Sequence, residues 1–225
     1  MCNIACIDFG LSHLSKNDIT GKRVIEVGAM DVNGSLRPHV ASFGPQEYIG
    51  VDIAEGPGVD EICSVYQLAD RFGPESFDVV VSNEMLEHVQ DWRSAVSQMK
   101  AITRPGGILL ITTRSFGFPY HGYPFDFWRY EVDDMKAIFS DMTIDAIESD
   151  TIDPGVFLRT RKPASFTEND LRGYALYSMV SRRRSTEIEF SRADRFLLAL
   201  RTNVVARKLK GATRRLLALP EQRRP

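Results

Sequence analysis

From Lys22 onward, short apolar runs alternate with stretches of helical spacing, and this alternation narrows the possible folds more than any other feature of the chain. Residues 24–27, 48–51, 78–81 and 108–112 are runs of four or five, rich in Val and Ile, bounded by Gly or polar residues. Such runs read as buried strands. Between the last two, Trp92, Ala95, Val96, Met99 and Ile102 recur at helical spacing. That helix must stop before Arg104-Pro105-Gly106-Gly107, since proline removes a donor and glycine frees the turn. Strands separated by helices imply a parallel sheet with right-handed crossovers. A helix is expected at 131–139. Two closing strands follow at 143–147 and 156–159, joined by a turn at Asp153-Pro154-Gly155.

Length and composition fit one domain with an appendage, divided here as 1–165 and 166–225. No apolar stretch approaches the ~18 residues that span a bilayer. The opening MCNIACIDFG lacks a basic segment followed by an apolar one, so no signal peptide is expected. Three cysteines, Cys2, Cys6 and Cys63, cannot all pair, and no cluster completes a zinc site, so no metal is expected. A reducing cytoplasm suits that usage. Net charge divides unevenly: residues 1–180 hold 15 Lys/Arg against 26 Asp/Glu, and residues 181–225 hold 13 against 4. An acidic body argues against a dedicated nucleic-acid binder, which would carry a basic face on its main domain. The basic tail reads as an amphipathic helix over 193–217, suited to an anionic membrane surface, a second subunit, or the acidic body itself.

In a parallel sheet, ligands sit beyond the carboxyl ends of the strands. The segment VIEVGAMDVNGSL (24–36) therefore carries weight. Gly28 lets backbone approach a ligand, and Asn33-Gly34 supplies a turn with positive φ. Asp52 ends the second strand and is placed to accept ribose hydroxyls. The G-x-G-x-x-G that a pyrophosphate requires is absent, with Met30 and Val32 in its way, which disfavours a nicotinamide dehydrogenase.

Three segments set the class: Phe77-Asp78-Val79-Val80, Glu84-Met85-Leu86-Glu87-His88-Val89 and Pro105-Gly106-Gly107. Together they resemble the class I S-adenosylmethionine-dependent methyltransferases, in the large group with an E-x-L-E-H-V segment. The resemblance covers roughly residues 20 to 160. It implies an α/β, Rossmann-like fold with a seven-stranded, mostly parallel sheet and helices on both faces, followed by a basic helical C-terminal extension. It also implies S-adenosylmethionine as cofactor. Glu26, Gly28, Ala29, Met30 and Asn33 would then meet the methionine end, and Asp52, with Ile53, the ribose. Ser64 and Val65 would lie at the adenine, and Asn83, Glu84 and Met85 would form the floor. The chain departs from the family at Met30 and Val32, where glycines are usual, and at Ser64, just after the third strand that the resemblance implies at 61–63, where an acid is often found.

The acceptor is expected at TTRSFGFPYHGYPFDFWRY (112–130). Aromatic faces with a few polar groups suit a carbohydrate or another small amphipathic molecule. Tyr120, Tyr123, Trp128 and Arg129 are the candidate acceptor contacts; the competing reading packs the aromatics into the core and pairs Asp126 with Arg129. The P-Y-H-G-Y-P-F-D-F-W-R-Y run resembles a methyltransferase subgroup of glycan and secondary-metabolite pathways. A hydroxyl acceptor needs its proton removed. His121, in a turn between Pro119 and Gly122, is the expected base, with Asp126 orienting it and His88 as the reserve. O-methylation of a small molecule is the leading reading. Transfer to nitrogen or carbon, or a cofactor-binding module without turnover, are the alternatives.

Overall fold

The computed structural model describes residues 3–122 and 125–188. The chain opens with two helices that the strand pattern does not announce, α1 (Ile4–His13) and α2 (Lys16–Ile19). Both begin on side-chain caps: Asn3 accepts from the Cys6 amide, and Ser15 with Asp18 forms a reciprocal capping box. There follow β1 (Arg23–Val27), α3 (Arg37–Ser42), β2 (Glu47–Asp52), β3 (Glu61–Ile62) and α4 (Leu68–Phe72). Then come β4 (Phe77–Asn83), α5 (Trp92–Ile102) and β5 (Thr103–Arg114). After β6 (Trp128–Arg129) and α6 (Val132–Ile138), β7 (Thr143–Ser149) and β8 (Gly155–Arg161) close the main sheet.

The main sheet has seven strands in the order β3-β2-β1-β4-β5-β8-β7. The first five are mutually parallel, and β8 runs antiparallel to both neighbours. Successive residues of the central strands serve opposite cores. Ile25, Val80, Leu109 and Ile111 pack with α5 and α6, while Val24, Val79, Val81, Ile108 and Leu110 pack under α1 and beside Ile19 and Val40. A strand buried on both faces must be apolar throughout, which is why these runs lack a polar alternation.

The stop at Arg104-Pro105-Gly106-Gly107 takes an unexpected form. The α5 helix does end at Thr103, but that residue already pairs with Phe77, and the ladder resumes only at Val79 and Ile108. The Pro-Gly-Gly stretch is thus an irregularity within β5, with Gly106 at φ +76°.

Residues 166–188 of the expected extension contain two short strands and no helix. The strands β9 (Leu176–Ser178) and β10 (Arg183–Ser185) form a second, antiparallel sheet with β6. Phe166, Leu171, Tyr174 and Val180 pack on the main core, because backbone pairing and apolar contact are available there and not in a free helix. Arg93 of α5 fastens this segment, donating to the carbonyls of Leu171 and Thr186 at 2.7 Å each. The expected basic helix over 193–217, with its membrane or homodimer contact, lies outside the described residues. Among the described residues no helix is long and apolar enough to cross a membrane.

One buried ion pair fixes α5 to the turn after α6. The Lys100 ammonium, fully buried, meets both Asp141 carboxylate oxygens at 2.7 and 2.8 Å and the Ile138 carbonyl at 2.8 Å. Removing one partner of a buried pair strands the other, at a cost of about 3–5 kcal/mol. Lys100→Ala should lose stability on that scale in denaturant unfolding; a loss below about 1 kcal/mol would mean that Asp141 finds water instead.

Candidate functional site

The groups expected at the site cluster around the carboxyl ends of the strands and the loops that follow them. After β1 the chain turns at Gly28, φ +80°, whose amide, like that of Ala29, donates to the Val51 carbonyl. A Cβ at Gly28 would come within 2.6 Å of the Met85 side chain, so glycine here lets the first loop close on the residue after β4. Asp52, at the end of β2, ties the two loops together: its carboxylate accepts from the amides of Met30 at 3.2 Å and Ile53 at 2.7 Å. The turn at Gly34 has φ +122° and is organised by Asp31, whose carboxylate accepts the Gly34 amide at 2.7 Å. Asn33 is exposed beside it, and so is Ile53. Ser64 caps the short turn Val65–Gln67, and Val65 is buried in the core.

Glu26 is buried within β1 and takes a hydrogen bond of 2.6 Å from the Tyr48 hydroxyl. Burial pushes its pKa up to about 7, against the pull of Tyr48, Asn83 and Arg37. The Asn83 side chain, also buried, is one of the groups that act on it. A buried carboxyl that titrates near neutrality beside a buried amide suits the amino-acid end of a cofactor, which brings an ammonium and a carboxylate.

The residue after Asn83 is strained. Glu84 sits at φ +52°, uncommon for a residue with a Cβ, and its carboxylate is buried against the Arg114 guanidinium. Burial and the neighbouring Glu87 raise the Glu84 pKa, while Arg114 opposes them. Arg114 reaches Asp150 as well, at 3.0 Å. Glu84 thus braces β5 and the β7–β8 turn through its side chain.

The loop after β5 comes back over the segment after β4. His121 is clamped between two carboxylates: Nδ1 lies 3.1 Å from Asp126 Oδ2, and Nε2 lies 3.4 Å from Glu87 Oε1. A carboxylate only accepts, so Nδ1 carries a proton. Burial works against the imidazolium, but Asp126 and Glu87 outweigh it and raise the His121 pKa above its usual 6.5. Asp126 is held well below the usual range, despite burial, by Arg129 and His121. Glu87 is fully buried, yet its pKa is also depressed, by His121 and His88. Its second oxygen accepts the Thr113 hydroxyl at 2.9 Å. The His88 ring stands 4.7 Å from that of His121, and its Nδ1–H donates to the Phe125 carbonyl.

Glu87 is the residue that sequence reasoning missed as a site group; its signal was its place between Leu86 and His88 in the E-x-L-E-H-V segment. Two expected acceptor contacts are corrected. Trp128 is buried in the core with its indole N–H on the Gln90 carbonyl at 2.9 Å. Arg129 is fully buried, spending its guanidinium on Asp126 and the carbonyls of Phe118, Pro119 and Trp128. Both shape the loop from beneath, because a fully buried side chain presents no surface to a ligand. Tyr120 is 42% exposed at the rim. Tyr123 lies outside the described residues.

A family model described as a methyltransferase domain matches residues 6–149. A ubiquinone biosynthesis O-methyltransferase of Idiomarina loihiensis is 36% identical over 107 residues, covering 41% of this chain and 42% of the relative. The chain thus spans less than half the length of that curated relative. Among solved structures, an S-adenosylmethionine-dependent methyltransferase from Mesorhizobium loti superposes with a TM-score of 0.55 at 17% identity, over 70% of this chain and 98% of that one. The 1,6-didemethyltoxoflavin-N1-methyltransferase of Burkholderia thailandensis, solved with its acceptor and S-adenosylhomocysteine bound, gives 0.52 at 16% identity, over 70% and 76%. The chain belongs to the methyltransferase-domain family and has the fold of the class I S-adenosylmethionine-dependent methyltransferases.

The buried Glu26 makes stability pH-dependent. Its folded pKa of about 7 lies above the usual 4.5, so its contribution is complete below pH 4.5 and lost as pH rises through 7. By linkage that amounts to about 3 kcal/mol. In denaturant titrations of the protein without cofactor, wild type should lose that much relative to Glu26→Gln between these pH values. Parallel curves would show that Glu26 ionises freely in the folded state.

Proposed function

We propose that this chain transfers the methyl group of S-adenosylmethionine to a hydroxyl of a small molecule, such as a sugar, a glycan intermediate or a secondary metabolite. The observation that carries the reading is the buried Glu87–His121–Asp126 array at the carboxyl end of the sheet, beside the loops suited to the cofactor. S-adenosylmethionine supplies a methyl group activated by its sulfonium. Glu26, Gly28, Ala29, Met30 and Asn83 would hold its amino-acid end, with Asn33 at the rim of that loop. Asp52, flanked by Ile53, would take the ribose hydroxyls, and the Ser64–Val65 turn would border the adenine. Met85 bounds the floor, and Glu84 acts from behind through Arg114.

Oxygen as acceptor is supported by the name of the curated relatives and by the proton chemistry of the array. An aliphatic or phenolic hydroxyl attacks poorly with its proton in place, and a positioned group that removes it contributes ~100- to 10,000-fold. His121, oriented by Asp126, is that group, and His88 stands next to it. Because carboxylates on both sides favour its charged form, His121 becomes free to accept a proton only above pH 6.5. The rate should therefore climb through a pKa higher than that of free histidine, and Asp126→Asn should shift that limb downward.

Titration calorimetry with S-adenosylhomocysteine should give binding near micromolar, about −8 kcal/mol. Asp52→Ala should weaken it strongly. His121→Ala should lower turnover by ~100- to 10,000-fold with that affinity almost unchanged. Absence of binding by folded wild type would sink the cofactor assignment. Binding without methyl transfer to any hydroxyl compound in broad extracts would favour a module that has lost turnover.

A further inference from the structure

Arg114 ends β5 and is fully buried. Its guanidinium meets the Glu84 carboxylate, lies 3.0 Å from Asp150 Oδ2, and sits over the Phe118 ring at 4.3 Å. The two carboxylates depend on it unequally. Asp150 also accepts from the Asn3 side-chain amide at 2.8 Å and from the Ile152 main-chain amide at 2.8 Å. Glu84 has Arg114 as its one ion-pair partner among the described residues, and its side chain is buried. Taking Arg114 away therefore leaves Asp150 with donors and Glu84 as a buried carboxylate without a cation. Such a group must take up a proton or move toward water.

Glu84 is also the point at which the chain leaves the sheet. Asn83 still pairs with Thr112, and the Glu84 amide donates to the Thr112 carbonyl at 2.9 Å. At φ +52° the backbone then enters a conformation that glycine adopts readily and a residue with a Cβ does not. Met85 follows, packed so closely on the first loop that a Cβ added at Gly28 would lie 2.6 Å from its Cγ. The dihedrals at 84 thus decide where Met85 lies against Gly28. A strained backbone persists only where its surroundings over-determine it, and the anchored carboxylate supplies that constraint.

We infer that Arg114 is a positioning residue for the cofactor: through the Glu84 carboxylate it holds the left-handed turn that sets Met85 against the Gly28 loop. The support reaches further back. Asn3, whose Oδ1 caps α1, donates to Asp153 at 3.0 Å as well as to Asp150, so the start of α1 and the β7–β8 turn steady the same guanidinium. The role rests on the reading of Gly28 and Met85 as cofactor contacts, and is independent of which atom accepts the methyl group.

S-adenosylhomocysteine titrated calorimetrically into the full chain tests this, with the unfolding temperature measured alongside in its absence. Arg114→Met should weaken binding about tenfold or more in protein that is still folded. Two double variants separate the turn from the charge. Glu84→Gly with Arg114→Met removes the stranded carboxylate and places at 84 a residue that takes a positive φ unaided, so affinity should return to within about threefold of wild type. Glu84→Ala with Arg114→Met removes the same carboxylate but keeps a Cβ, and should bind about fivefold or more weaker than the glycine pair. If Arg114→Met does not fold, the two doubles decide alone. Equal affinity in the two doubles overturns the role, as does wild-type affinity in folded Arg114→Met. Failure of folded wild type to bind overturns the cofactor reading itself, and this role with it.

Discussion

A sheet covered by helices on both faces has nowhere along its strands for polar chemistry. Between Val24 and Val27, or Ile108 and Ile111, each alternate side chain enters one of two apolar cores, and an uncompensated charge there would cost several kcal/mol. The polar groups are therefore driven to the strand ends, and parallel order brings the carboxyl ends of β1, β2, β4 and β5 to one side. The site is a consequence of this confinement. Glu26 is the exception within a strand, and it stays by holding its proton.

What the confinement gathers must also be neutralised. Glu87, His121, Asp126 and Arg129 alternate in sign along a buried line, and each carboxylate is depressed because a cation faces it. Arg114 bridges Glu84 and Asp150, and Asn3 adds its amide to Asp150 at 2.8 Å. These chains fix loops that have few apolar contacts of their own. The positive φ at Glu84 costs on the order of 1 kcal/mol, and the pairing with Arg114 is what holds it.

Most of the main sheet was legible because short runs rich in β-branched residues leave little choice, and six of its seven strands fall where those runs are, while the two-residue β3 was expected from the family resemblance. The short strands β6, β9 and β10 were not, since two or three residues carry no periodicity. The first two helices were signalled only by their caps, Asn3 and Ser15-Lys16-Asn17-Asp18. At the site, Asp52, Gly28, His88 and His121 stood out by residue type at a strand end. Glu87 did not, because a lone glutamate in a turn reads as solvated until the fold closes Thr113 and His121 over it. For Trp128 and Arg129 the sequence left contact with a ligand and packing in the core both open, because a motif rich in aromatics and arginine reads alike in either place.

The second sheet ties together parts of the chain that are distant in sequence. The Phe127 carbonyl accepts from Met179 at 2.8 Å, and Trp128 and Arg129 pair with Ser178 and Tyr177. Phe116 stacks edge-on with Tyr177 at 4.8 Å. The segment before α6 is therefore held by a second stretch some fifty residues on, joined to it by main-chain bonds. Neither stretch is a free cassette. A graft of residues 115–130 from a relative would bring a loop whose backbone partners stayed behind, so the two stretches can be exchanged only as a pair.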